Sequence, residues 1–248
     1  MALYYSTRAI NLNAGYKPTV TDAGSQISFT APNLINTTQA DFLTKGFRPG
    51  MVLEIVDGGA TTQTAKYVTV SSLTSGVITT VESTIVTEAA ATDTPTIRMA
   101  QNGMSWLDIF RYGVFCLYAS PMPSDINGAE SATMLAKLTD GGGAFTPGSP
   151  TNGLQFEFDA AGKISILSTQ TWREDLGLSN ADAYWGMFYD NAFITGDDST
   201  NLVSPRIMGS VGLSGSGADI IVTTMAIKTT TPVLCSQFDL TLPGQACS

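Results

Sequence analysis

The sequence contains no histidine and little charge. None of its 248 residues is His and 13% are charged, whereas an ordinary globular protein carries roughly 25% charged residues. Histidine titrates near neutral pH and is the commonest metal ligand. Its absence therefore removes the usual general base, the usual activator of a Ser or Cys nucleophile and the usual zinc ligand. We expect a protein that is not an enzyme and that binds no cofactor.

Cysteine is also scarce. Cys116, Cys235 and Cys247 are an odd number and show no Cys-x-x-Cys spacing, so the sequence encodes neither a disulfide framework nor a zinc site. Cys116 and Cys235 fall inside strand patterns and are expected as buried thiols. Cys247 lies in the tail, and whether any of the three forms a disulfide stays open.

Basic residues and long apolar runs are few. The chain has 12 Lys and Arg against 21 Asp and Glu, for a net charge of −9, and its basic residues are scattered singly. Binding to a phosphate backbone needs clustered basic residues, so nucleic acid is not an expected partner. No run approaches the roughly 18 apolar residues of a membrane span, and the first residues do not resemble a secretion signal. We expect synthesis in the cytosol and no membrane partner.

The pattern that is present indicates an all-β protein. Short runs rich in Val, Ile, Thr and aromatic residues recur between clusters of Gly, Pro, Asn, Asp and Ser. Strands are predicted at 26–30, 51–56, 66–71, 77–81, 96–99, 114–118, 133–138, 154–158, 163–168, 184–189, 206–211, 219–227 and 233–242. One or two short helices are predicted, at 38–44 and 105–111, from capping residues and apolar spacing.

These runs predict three parts. Residues 1–20 are a docking arm or the first strand of a barrel, residues 21–102 form a small N-terminal β-barrel, and residues 103–248 form an antiparallel β-sandwich of jelly-roll type. In the last part, the alternation of apolar and polar residues in 154–158 and 233–242 predicts strands with one face in the core and the other towards water or a partner.

Two kinds of chemistry remain open without histidine. Paired carboxylates can hydrolyse glycosides, and Glu174-Asp175 and Asp197-Asp198 are adjacent pairs, although both lie in turn-like sequence. The aromatic residues, among them Trp106, Trp172 and Trp185, also allow a surface on which sugars stack, against the alternative that they fill the core.

Two stretches resemble proteins of tailed-bacteriophage virions. Residues 42–55, 66–70 and 76–81 resemble a small β-domain of such proteins through Gly46, Phe47 and Gly50, with Met51 where an acidic residue is usual. A further pattern looks like that of phage structural proteins, and it runs through 113–118, Pro121, Pro123, 135–138, 143–145, 152–156, 171–172, 183–190, 209–212 and 238–243.

This resemblance implies a non-enzymatic component of a virion, assembled in the bacterial host cytoplasm. The first hypothesis is a capsid decoration or cement protein that binds the major capsid protein or other virion proteins as a homo-oligomer, with a trimer favoured. The alternatives are a neck, collar or tail component, including a receptor-binding tip, and a carbohydrate-binding module. The segment expected to dock on a neighbour by strand addition is the N-terminal arm, with Leu3, Tyr4, Tyr5, Ile10 and Leu12.

Overall fold

The chain folds as an all-β protein of two compact units. The structure, a computed structural model, describes residues 3–39, 41–56, 63, 66–90, 94–101, 103–130, 132–158, 164–196, 201 and 204–238. The predicted all-β class is confirmed. The barrel unit contains residues 11–108 and 147–150, and the second unit contains residues 1–10, 109–146 and 151–248.

Three short helices lie in the described part of the chain: α1 (Thr7–Asn13), α2 (Phe42–Lys45) and α3 (Trp106–Ile109). The Asp41 carboxylate caps α2 by accepting from the N–H of Leu43 at 2.8 Å, and Gly46 ends this helix with a φ of 98°, a conformation that glycine adopts at little cost. Ser105 caps α3, as predicted, with its hydroxyl 3.2 Å from the Asp108 N–H.

The barrel unit contains seven strands in a closed barrel. They are β2 (Thr19–Thr21), β3 (Ile27–Thr30), β4 (Leu34–Thr37), β5 (Val52–Val56), β6 (Lys66–Leu73), β7 (Val77–Thr80) and β8 (Thr96–Met99). Their order is β2-β8-β5-β6-β7-β4-β3. In β5 the burial alternates, with Leu53 and Ile55 completely buried, as expected when one face of a strand lines a core.

A buried carboxylate ties the two end strands of this order together. Asp22 follows β2, and its side chain accepts hydrogen bonds from the N–H groups of Gly24, Gln26 and Ile27 at 2.8 to 3.2 Å. These donors lie in the turn and at the start of β3, so Asp22 holds the turn between β2 and β3. Because β2 begins at Thr19, the barrel unit reaches into the range 1–20 that was assigned to an arm.

The second unit is built on one large sheet and two small ones. The large sheet has the order β1-β16-β15-β9-β10-β13-β19-β17, and β11 pairs with β12 and β14 with β18. The strands are β1 (Tyr4–Tyr5), β9 (Val114–Tyr118), β10 (Met134–Asp140), β11 (Phe156–Phe158), β12 (Ile164–Ile166), β13 (Trp172–Glu174), β14 (Ala181–Asp182), β15 (Trp185–Tyr189), β16 (Arg206–Gly212), β17 (Ile220–Val222), β18 (Ala226–Ile227) and β19 (Val233–Phe238).

One parallel pair closes the large sheet into a ring. β16 pairs with β17 in parallel, with Val211 opposite Ile220, and the other ladders between the strands of this sheet are antiparallel. Aromatic rings from strands on opposite sides of this ring meet inside it: Phe115 on β9 lies 5.4 Å from Phe238 on β19, and Trp172 on β13 lies 5.3 Å from Phe188 on β15.

A second core covers the outer face of the same sheet. Cys116 and Tyr118 of β9, with Met187 and Tyr189 of β15, pack with Ile126 in a cluster of buried residues. β9 and β15 are consequently buried along their whole length. These two strands therefore differ from the half-buried strands predicted at 154–158 and 233–242, because the cluster that includes Ile126 packs on their second face.

Candidate docking surface

The N-terminal arm forms the outer strand on β16. Tyr4 lies opposite Met208 and Tyr5 opposite Ile207 in an antiparallel ladder. Ser6 continues this pairing, because its N–H donates to the Arg206 carbonyl at 3.0 Å and its hydroxyl accepts from the Arg206 N–H at 2.9 Å. Leu3 packs over Gly209, where an added Cβ would lie 2.6 Å from the Leu3 Cδ2.

The remaining arm residues belong to α1 rather than to a strand. The Ser6 hydroxyl accepts from the Ala9 N–H at 3.4 Å, in the geometry of a helix N-cap. Leu12 is buried in the barrel unit, whereas Ile10 is exposed, as is Tyr4 of β1. β1 pairs with β16 of the second unit and not with a barrel strand, whereas the barrel strand β2 begins at Thr19, still within the range 1–20. Docking of the arm onto a neighbour stays a prediction.

A buried polar network lies beneath the cover of the second core. The Arg206 Nη1 is 2.9 Å from the Glu130 Oε1, and the Arg206 side chain is completely buried. The Tyr189 hydroxyl donates to the same Glu130 oxygen at 2.7 Å and lies 2.7 Å from the Tyr118 hydroxyl. Arg206 also donates to the Gly128 carbonyl at 3.2 Å, so the network ties residues 128–130 to β16.

Burial decides the ionisation of this network's phenols. It raises the pKa of Tyr118 and of Tyr189 far above the ordinary value, and it raises the pKa of the Cys116 thiol in the same way. These groups stay protonated at physiological pH. Cys116 and Cys235 are free thiols, as expected, and Cys247 lies outside the described residues. The network positions a segment of chain and does not offer an acid or base to solvent.

The carboxylate pairs do not form a catalytic arrangement where they are described. The Glu174 carboxylate accepts from the Lys137 N–H at 3.2 Å, and its partial burial raises its pKa, while Asp175 pairs with Arg173. The two carboxylates therefore have different partners. Asp197 and Asp198 lie outside the described residues, and the described part of the chain holds no group of three or more side chains that could bind a metal ion.

The indole rings offer little surface for stacking a sugar. Trp172 and Trp185 are buried, and Trp185 stacks on Tyr118 at 4.2 Å while its N–H donates to the Ala119 carbonyl at 2.8 Å. Trp106 is half-buried. For Trp172 and Trp185 the core alternative is therefore the correct one.

An exposed apolar surface lies around the two-stranded ribbon of β14 and β18. Asp182 is opposite Ala226 in this ribbon, and Ala181 is opposite Ile227. Two shallow grooves of about 430 and 450 Å³ flank it and share Asp182 and Ala226. We call the surface of these two grooves the ribbon face; its lining residues are Asn180–Tyr184, Leu213 and Thr223–Thr230.

Large apolar side chains of the ribbon face are open to solvent. Tyr184 is 57% exposed and Leu213 47% exposed, and both line the first groove. Leu176 and Leu178 are also exposed, and they flank Gly177, whose N–H donates to the carbonyl of Lys228 at 3.1 Å. Clustered exposed apolar side chains mark interaction sites more often than single ones do.

Sequence reasoning missed this surface. Tyr184 was assigned to the strand 184–189, whose neighbouring residues Trp185 to Tyr189 are buried. The strand 219–227 was predicted as one run, whereas the chain forms β17, turns, and then forms β18. Residues 223–226 are Thr-Thr-Met-Ala and include none of the residues that most strongly favour turns, so the local sequence carried no signal for this break.

Comparisons with known proteins give no relative for this chain. Among the helices that the structure describes, none has the length and apolar character needed to cross a bilayer. No family model matches the sequence, and neither a curated protein nor a solved structure matches it.

Proposed function

We propose that the protein is a non-enzymatic structural component of a tailed-phage virion, where it acts as a capsid decoration or cement protein and works as a homo-oligomer, with a trimer favoured. Its partners are the major capsid protein or other virion proteins. The observation that carries the proposal is the ribbon face, on which Tyr184 and Leu213 remain exposed beside Leu176 and Leu178.

The energetics favour covering this face. Burying one large apolar side chain completely is worth about 1.5–3 kcal/mol. Tyr184 and Leu213, each about half exposed, therefore have about 1.5–3 kcal/mol between them to contribute to an assembly contact. An assembly protein uses this energy when it meets its neighbours, and the ribbon face supplies it without any catalytic group.

The finer form of the fold enters the same proposal. We take the closed sheet of the second unit to be flattened into two layers, as in a jelly-roll-like sandwich. The contact of Phe115 with Phe238 supports this, because β9 and β19 are separated by two strands in the ring and yet their rings lie 5.4 Å apart. A flattened ring brings opposite strands within reach of each other.

A carbohydrate-binding module is the second candidate, and one observation favours it. The first groove combines the exposed ring of Tyr184 with the hydroxyls of Thr223 and Thr224 and the carboxylate of Asp182. An aromatic face beside oxygen acceptors is suited to a sugar ring. Binding on a glycan array that is lost on changing Tyr184→Ala would favour this candidate.

The proposal predicts where the protein is found. Particles of the virus that encodes this chain should contain it, and its amount relative to the major capsid protein is measured by quantitative mass spectrometry of purified particles. Hundreds of copies per particle are expected for a decoration protein. A few tens of copies or fewer would indicate a neck or tail component, and absence from purified particles would contradict a virion role.

A further inference from the structure

The ribbon face carries one charge of each sign. Of its lining residues, Asp182 and Lys228 are the charged ones. Both side chains are exposed, and neither has a hydrogen-bond or ion-pair partner within the part of the chain that the structure describes. The face is therefore locally neutral, while the chain as a whole has a net charge of −9.

The ribbon geometry places these charges on the same side. Asp182 lies opposite Ala226, and Lys228 follows Ala226 by two residues, with the buried Ile227 between them. Side chains two residues apart on an extended strand point the same way. Asp182, Ala226 and Lys228 accordingly all line the second groove, with Tyr184 and Leu213 in the first.

We propose that the occupant of the ribbon face is a second copy of this chain, bound so that Asp182 of one copy lies against Lys228 of the next and the exposed apolar side chains are buried between them. The inference rests on the proposed function, because it names the partner of the same surface. A symmetric assembly supplies both charges at every contact, since each copy brings one carboxylate and one ammonium.

Charge selects a second copy over other acidic or basic partners. Two molecules of net charge −9 repel each other, so a self-contact is favoured where the local charge is balanced. The ribbon face meets this condition. Its apolar side chains supply the affinity, and the charge pair fixes the register and excludes wrong arrangements.

Charge reversal with complementation tests this contact. Asp182→Lys leaves two cations on the face, and Lys228→Asp leaves two anions, so each variant alone places like charges together. We expect the self-association of each variant to be weaker than that of the unchanged protein by about tenfold or more. Light scattering after size-exclusion chromatography measures this. A double variant that carries both changes in one chain should associate again, because position 182 of each copy then meets the opposite charge at position 228 of the next.

A matched control separates this face from general surface effects. Tyr184→Ser should weaken association, whereas Tyr67→Ser should not, because Tyr67 is 58% exposed but lies on β6 of the barrel unit. Circular dichroism and thermal unfolding check that each variant is folded. A measurement without variants supports these: hydrogen exchange of residues 180–184 and 223–228 in the unchanged protein should slow as its concentration rises.

Each outcome decides the inference. An unchanged protein that stays at its chain mass of 26.1 kDa at high concentration overturns it, as do reversal variants that assemble normally or a folded double variant that does not associate again. Counting the same variants in particles separates it from the proposed function. If variants that no longer self-associate are still incorporated normally, the self-contact is not the assembly contact in the particle, and the virion role stands. If the chain self-associates but is absent from particles, the virion role is overturned and the self-contact stands.

Discussion

At the scale of single residues, the buried pair of Arg206 and Glu130 is the most consequential contact of the second unit. Two charges removed from water are stabilised only while both are present. The Arg206 side chain is fully buried, and its Nε and Nη2 have no hydrogen-bond partner in the described structure. The buried guanidinium is therefore stabilised by Glu130 and the Gly128 carbonyl, both of which bind Nη1.

Changing Glu130→Gln is therefore expected to lower the free energy of unfolding by about 3 kcal/mol, because it leaves the guanidinium buried without a counter-charge. Urea unfolding followed by tryptophan fluorescence measures this, since Trp172 and Trp185 lie in the same unit. The control is Asp175→Asn, which removes the partner of Arg173 in an exposed pair and should cost less than about 1 kcal/mol. Equal losses in the free energy of unfolding for the two variants would show that the buried ion pair contributes no more stability than the exposed one.

At the scale of elements, the parallel pair of β16 and β17 depends on a short connection. Parallel neighbours usually need a crossover of a dozen or more residues, but here the chain returns through the loop between Gly212 and Ile220. The Asp219 carboxylate holds this return, because it accepts from the N–H of Ser210 at 3.0 Å and from its hydroxyl at 2.7 Å.

Asp219→Ala should consequently destabilise the closure of the sheet by about 2 kcal/mol, the scale of a hydrogen bond to a charged group. This loss should make hydrogen exchange at Ile220–Val222 roughly thirtyfold faster, since 1.4 kcal/mol corresponds to a factor of ten. Ser216→Ala is the control in the same loop, because its hydroxyl accepts one long bond of 3.3 Å from Ala218. Unchanged protection in the Asp219 variant would mean that strand pairing alone closes the ring.

At the scale of the whole molecule, the lack of histidine predicts a flat response to pH near neutrality. Carboxylates ordinarily titrate near pH 4 and lysines above pH 10, while burial raises the pKa of the Cys116 thiol and partial burial that of Glu174. The described carboxylates with lowered pKa are Glu54, beside Arg98, and Glu82, where hydrogen bonds from Thr69 outweigh the burial that opposes them.

A lowered carboxylate pKa contributes stability that is present above the unfolded value of about 4.3 and is lost as pH falls through the folded value. The unfolding temperature should therefore change little between pH 6 and 8 and fall below about pH 4.3. Scanning calorimetry over this range tests it. A fall of many degrees in the unfolding temperature between pH 8 and 6 would contradict the expectation. It would indicate an ionisable group whose pKa the fold shifts into this range.

Much of the fold was predictable because its strands are amphipathic or strongly apolar. The predicted 96–99 and 114–118 coincide with β8 and β9, and 51–56 differs from β5 by one residue. The helix α1 was missed, and so were four short strands: β2, β4, β13 and β14 have two to four residues each. A strand of this length is defined by the partner that it pairs with, which local sequence does not contain.

The candidate site was less predictable than the fold. Glu174 and Asp175 are adjacent in sequence but bind different partners, because Glu174 is the last residue of β13 and Asp175 lies in the bend that follows it. Asp182 and Lys228 are far apart in sequence, and they line one groove because β14 pairs with β18.

The sequence by itself determined the all-β class, the barrel in the N-terminal half and the absence of a side chain whose ordinary pKa lies near neutrality, since these follow from composition and from the period of apolar residues. Tertiary structure alone decided that the first strand joins β16, that β16 and β17 close the second sheet, and that Tyr184 stays exposed while Trp185 is buried. Those outcomes depend on contacts between residues distant in the chain, whose geometry only the folded molecule defines.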